Sequence, residues 1–153
     1  MEKVTLKLFE FYNLEAELNG LVNQQNGEVL SKGLLNEKIK LTTKYWLTDL
    51  YKKVSEQKQS VEKLKEDLIK KHGDTDDQGN VSIPMYVNVI TDEAGEVKSR
   101  DINPKFVEFQ NAFNTLLQED RDLEYKPLPL EDFDSVESDA NYSTFFKLIK
   151  VED

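Results

Sequence analysis

Between Leu34 and His72 the chain contains neither proline nor glycine, and this uninterrupted run constrains the fold more than any other feature. Leu35, Ile39, Thr42, Trp46, Leu50, Val54, Gln57, Val61, Leu64 and Leu68 step by three or four residues, the spacing of one helical face. The later part alternates in heptad fashion. A helix of about 38 residues would run about 57 Å at 1.5 Å per residue. A short first helix cannot cover that length, so either later segments fold back on it or another subunit does. Gln57 on the seam, and the lysines flanking it, argue against a deep core there. Trp46, Leu47, Leu50, Val54, Val61, Leu64 and Leu68 are therefore the candidate protein-interaction residues. Gly73 is the expected stop, with Lys70, Lys71 and His72 suited to the negative helix end.

Shorter patterns surround this helix. Val4, Leu6 and Leu8 alternate with Thr5 and Lys7, as in a half-buried strand. Phe11, Leu14, Leu18 and Leu21 then predict a first helix, making a helical hairpin with the long one. Asn26-Gly27 and Gly33 signal turns between them. Residues 85–102 read as a β-hairpin around "DEAG", with Pro84 suiting an edge position. Asn103 as N-cap and Pro104 at the first helical position start another helix, reaching about Gln118. Its apolar face is Phe106, Phe109, Phe113, Leu116 and Leu117. "DLEY" is extended and suited to pair with the N-terminal strand. "LEDF" reads as one helical turn. A last short helix follows, anchored by Phe145, Phe146, Leu148 and Ile149, and the final "VED" is expected to fray.

The reading is an α+β fold in a single domain, residues 1–153. Residues 1–72 supply the strand and helical hairpin, 73–102 a β-hairpin insertion, and 103–153 the remaining helix, strand and short terminal helix. A small antiparallel sheet completes it.

Charge narrows the functional classes. The net charge is −10, unevenly spread. Residues 1–72 carry 13 Lys/Arg and 11 Asp/Glu; residues 73–153 carry 7 and 19. An acidic half of this kind repels free nucleic acid, so direct nucleic-acid binding is not expected. The opposed halves could pair within the chain or between copies of it. Without cysteine there are no disulfides, thiolate nucleophiles or cysteine-bound zinc, which fits a reducing cytoplasm. No apolar run approaches the roughly 18 residues of a membrane span. The N-terminal sequence lacks a signal-peptide pattern.

The sharpest chemical motif is "DTDDQG", Asp74 to Gly79. It matches the first half of a calcium loop, with Asp74, Asp76, Gln78, Gly79 and Val81 in place. Position 12, which should carry a bidentate glutamate, is Met85. The stretch therefore reads as an acidic turn, with no metal site assigned. His72, the only histidine, reads as a solvated helix-end residue rather than a catalytic base. The carboxylates of residues 119–124 and 131–139 read as solvated surface rather than a converging acid–base pair. Tyr45, Trp46 and Tyr51 are better suited to packing than to stacking bases. Phosphate-binding and nucleophile-elbow motifs are missing. No catalytic residue and no cofactor is assigned, and the expectation is a non-enzymatic protein.

One combination of segments goes further. "VTLKL", "LIKKHGDTDDQGN", "FVEFQNAFNTLLQED", "DLEYKPLPLEDFDSV" and "FFKLIK" occur in this order. Together they resemble a domain-of-unknown-function family of short tailed-bacteriophage proteins. Leu123, Tyr125, Pro127, Leu128, Leu130 and Phe133 fall on that family's "E-I-x-I-x-P-I-x-L-x-D-L" pattern. The chain departs from it in its longer hairpin and in Tyr125, where an aliphatic residue is usual. The resemblance implies a phage origin and an accessory or virion-associated role. The expected function is a structural or assembly protein binding other phage proteins or itself, in the host cytoplasm during infection and extending to the virion. The alternative is an acidic phage inhibitor occupying a basic groove on a host nucleic-acid-binding or defence enzyme.

Overall fold

The computed structural model describes residues 1–138 and 140–150. The fold is α+β, with three α-helices, one of them long, and small two-stranded sheets. The "VED" end lies outside the described residues. The chain divides into two compact units. One comprises Met1–Ser60 with Gln118–Asp153, the other Val61–Leu117. The inserted unit is thus larger than the 73–102 hairpin drawn from sequence.

In the first unit, β1 (Glu2–Lys7) runs antiparallel to β8 (Asp120–Tyr125). Val4 faces Leu123, and Glu2 faces Tyr125. Leu6, Leu123 and Tyr125 are buried while Thr5, Asp122 and Glu124 are exposed, the period-2 signature of a half-buried pair. The outer face is joined by charge and hydroxyl contacts: Lys7 to Asp120 at 3.4 Å and Thr5 to Asp122 at 2.7 Å.

Helix α1 (Leu8–Asn19) follows β1 without a loop. Glu10, in its first turn, accepts the Lys7 N–H at 3.1 Å, satisfying a donor that the helix cannot. Leu8, Phe11, Leu14 and Leu18 are buried. Leu21, expected on this face, lies beyond the helix and is exposed. It belongs to β2 (Leu21–Val22), which pairs with β3 (Val29–Ser31).

Gly20 and Gly33 explain the early helix end. Both have positive φ, +104° and +82°. A Cβ on Gly33 would lie 2.5 Å from the backbone of Asn19 and Gly20, and one on Gly20 would lie 2.6 Å from the Ser31 carbonyl. The chain returning from the hairpin therefore touches the helix end backbone to backbone, as only glycine permits.

Helix α2 spans Leu41–His72, starting later than the sequence pattern indicates. Leu34–Asn36 form a 3-10 turn, and Ile39 precedes the helix. Within the first unit, Leu47, Leu50 and Val54 are buried. Lys58 ties α2 to α1, 3.0 Å from Glu15 and 5.3 Å from the Tyr12 ring centre. A 3-10 turn at Leu130–Phe133 matches the expected helical turn. The last short helix is a 3-10 turn too, Phe145–Leu148. Phe145 and Leu148 are buried, but Phe146, expected as an anchor, is 57% exposed. Ile149 is half-buried in β10 (Ile149–Lys150), which pairs in parallel with β9 (Leu128–Pro129).

The second unit holds the end of α2, two hairpins and α3. The hairpins are β4 (Asp74–Thr75) with β5 (Val81–Ser82), and β6 (Tyr86–Thr91) with β7 (Val97–Ile102). Helix α3 covers Pro104–Leu117. Gly73 has no left-handed φ; it is required because a Cβ would meet the Ile69 carbonyl at 2.5 Å and Val81 at 2.7 Å.

Gly33→Ala should destabilise the protein by about 2 kcal/mol or more, because positive φ and a backbone clash act together. Chemical denaturation would measure this, with Gly27→Ala, which meets nothing within 4 Å, as the milder control.

Candidate functional site

The seam assigned to partners is largely internal. Leu47, Leu50, Val54 and Val61 are at most 6% exposed, which corrects their assignment: such side chains have no surface to offer another chain. Trp46 and Leu68 are half-buried, and Leu64 is exposed. A helical apolar face seeks the nearest apolar cover, and for the first turns this chain provides it.

Large apolar surface is exposed elsewhere. Of the sixteen buried hydrophobic side chains among the described residues, only Val61 belongs to the second unit. The same unit exposes Leu64, Met85, Val89, Ile90, Val97, Ile102 and Val107. Four of these lie on the β6–β7 hairpin, whose second strand is exposed at every position. Beyond Tyr86 and Val87, which are half-buried, the hairpin is open to water; a two-stranded hairpin of this kind is marginal alone, so this arm depends on its local restraints.

Those restraints start at Asn103, 4% exposed. Its amide nitrogen donates to the Pro84 carbonyl at 2.8 Å and its backbone N–H to the Met85 carbonyl at 2.9 Å. Its side-chain oxygen caps α3, accepting the Lys105 N–H at 3.1 Å. One residue thereby closes the hairpin base and starts the helix. At the tip, the Asp92 side chain accepts the N–H groups of Ala94 and Glu96. Midway, Asn88 has φ of +52° beside a register irregularity, and its amide donates to Asp101 at 3.1 Å. A bulge of this kind hinders pairing along the strand edge. The side-chain faces are therefore the usable surface. The Arg100 guanidinium lies 3.8 Å from the Tyr86 ring centre.

Helix α3 has no fully buried side chain. Phe106, Phe109 and Phe113 form a ladder with ring centres 6.3 and 6.0 Å apart, and Lys65 lies over Phe113 at 5.4 Å. The signal for the arm was present in "YVNVIT": both parities carry apolar residues, so neither face is made for water. Sequence reasoning took the long helix as the interaction surface instead.

The acidic turn is a hairpin connection. Asp76 turns its Oδ1 onto the N–H groups of Gln78 and Asn80, 2.9 and 2.8 Å away. These bonds hold its carboxyl below the ordinary range. Asp74 pairs with Lys105 at 2.7 Å. Among the described residues, no three His, Cys, Asp or Glu side chains converge on a metal position. His72 is not solvated as expected. Its ring is 18% exposed, with Nδ1 3.5 Å from Glu108.

Two buried acids of α1 hold the 3-10 turn at 145–148. Glu17 accepts the N–H groups of Thr144 and Phe145 at 3.1 and 3.2 Å. Burial raises its pKa, and these bonds offset that only in part. Glu10 pairs with Lys147. Burial alone would raise Glu10 as well, but the Lys147 contact and the Lys7 N–H outweigh it, and its pKa is lowered. These acids are structural, engaged with this chain's own backbone and lysine.

No family model, curated protein or solved structure matches the chain. Among the described residues, no helix is long and apolar enough to cross a membrane.

Two outcomes test this description. Asn103→Ala should cost about 1–2 kcal/mol and speed amide exchange in β6 and β7; Asn103→Asp, whose carboxylate can still cap α3 but meets the Pro84 carbonyl without a donor, should speed it as well; exchange mass spectrometry reads both. Glu17, with its raised folded pKa, favours the protonated fold. Its contribution should be complete below about pH 4.3, the ordinary carboxylate value, and lost as pH rises through its folded pKa. Glu17→Gln should therefore flatten the dependence of Tm on pH above about 4.3.

Proposed function

We propose that the protein is a non-enzymatic bacteriophage structural or assembly protein, acting through contacts with other phage proteins or with copies of itself. The observation that carries this reading is the β6–β7 arm. It presents Val89, Ile90, Val97 and Ile102 to solvent while Asn103 fixes its base. Apolar surface held in place but left uncovered is the usual mark of an interaction site. Leu64 and Val107 extend the exposed apolar surface of the same unit. The phage setting rests on the resemblance of the ordered segments from "VTLKL" to "FFKLIK". The corresponding location is the host cytoplasm during infection, extending to the virion.

The acidic-inhibitor alternative draws less support. Several of the acids it would present are engaged within the first unit: Asp120 by Lys7, Asp122 by Thr5 and Asp132 by Lys40 and Thr43. Mimicry of nucleic acid needs carboxylates free to meet a basic groove.

Light scattering at micromolar concentration should find an oligomer or a complex with a virion component, and mass spectrometry of purified virions should find the chain. A strictly monomeric protein absent from particles would sink the proposal. Capture of a basic host nuclease from lysate would favour the alternative. Ile90→Lys and Ile102→Lys should leave Tm nearly unchanged, because both positions are exposed. Each should weaken the association about tenfold or more.

A further inference from the structure

A cleft in the first unit carries a different chemistry from the arm. It opens beside the first turns of α2, with a volume of about 560 Å³, inside the range of small-ligand sites. Trp46 lines one side, and Lys126 and Lys150 approach from the segments around β9 and β10. Among the described residues, neither lysine side chain has a hydrogen bond or an ion pair. Lys126 Nζ lies 5.9 Å from the Trp46 ring centre. Two ammonium groups without a partner among the described residues therefore face a single cleft, on a chain of net charge −10.

Of the two acids lining the cleft, Glu131 and Asp132, one is already engaged. Asp132 accepts from the Thr43 hydroxyl at 3.0 Å, with Lys40 at 3.8 Å. Thr43 is buried, so that contact is shielded. Glu131 also lines the cleft and is exposed, leaving an acceptor free for a ligand N–H or hydroxyl. The arrangement offers cations for an oxyanion, an indole for a flat ring, and a carboxylate for a donor group.

We propose that this cleft binds a mononucleotide, with the phosphate between Lys126 and Lys150, the base against Trp46, and Glu131 accepting from a base amine or ribose hydroxyl. Lysine supplies point charges to phosphate, and an aromatic face accepts any base by stacking. This inference is independent of the arm, and either can fail without the other.

Trp46 is the only tryptophan, so its fluorescence reports on this cleft alone. The full-length protein is titrated with AMP under red-edge excitation, which adenine does not absorb, alongside inorganic phosphate, adenosine and polyglutamate. Saturable quenching by AMP is expected at or below about 1 mM. Phosphate and adenosine alone should each bind about tenfold more weakly or worse. Lys126→Gln with Lys150→Gln should weaken AMP about tenfold with the thermal melt unchanged, and Glu131→Gln should weaken it less. Absence of saturable change with AMP overturns the proposal. So does equal binding of phosphate, adenosine or polyglutamate, or a double-lysine variant that binds AMP as wild type does.

Discussion

The antiparallel pairing of β1 with β8 is the constraint on which the first unit depends. It joins residues 2–7 to residues 120–125 across the whole inserted unit. Closing so long a loop costs entropy, but that cost grows only slowly with length. Burial of Leu6, Leu123 and Tyr125, together with the ladder, offsets it. The remaining elements depend on this pairing. The Leu8 N–H bonds to the Glu119 carbonyl at 2.9 Å, so α1 starts at a fixed place. Glu10 and Glu17 are then positioned to hold Lys147 and the Thr144–Phe145 backbone.

The second unit is organised on a different principle. It has little buried apolar surface, and its order comes from polar closure at a few backbone positions. Asn103 caps a helix and locks a hairpin base, while Asp76 and Asp92 each fold a turn onto two N–H groups. Local hydrogen bonds of this kind define shape without hiding apolar side chains. A unit held this way can keep Val89, Ile90, Val97 and Ile102 exposed to solvent. In the first unit such residues fill a core, although its β2–β3 hairpin leaves Leu21, Val22, Val29 and Leu30 exposed.

The charge asymmetry also has a tertiary resolution. The acidic second half of the sequence meets basic residues of the first half within the first unit. Lys7 meets Asp120 and Lys40 meets Asp132. These are partly exposed contacts, each worth about 1 kcal/mol or less. They neutralise surface more than they stabilise it, while Lys126 and Lys150, beside Trp46, have no ion-pair partner among the described residues.

Local patterns were legible wherever the physics is local. Alternation in β1 and "DLEY", the Asn103-Pro104 helix start, the "DEAG" turn and the single turn at "LEDF" all depend on neighbours in sequence, and the structure has them. The turn at Asp76 is local too, its Oδ1 accepting the Gln78 and Asn80 N–H groups. Helix boundaries were less legible: the pattern through Leu35 and Ile39 is helical in spacing, yet α2 starts at Leu41, and Leu21 leaves the α1 face because Gly20 and Gly33 meet there. The sequence by itself determined which residues are apolar and at what period. Only the tertiary structure decided which of those faces found cover. Leu47, Leu50 and Val54 became core and the β6–β7 arm stayed open, because cover depends on which distant segments return, and periodicity within one element carries no record of that.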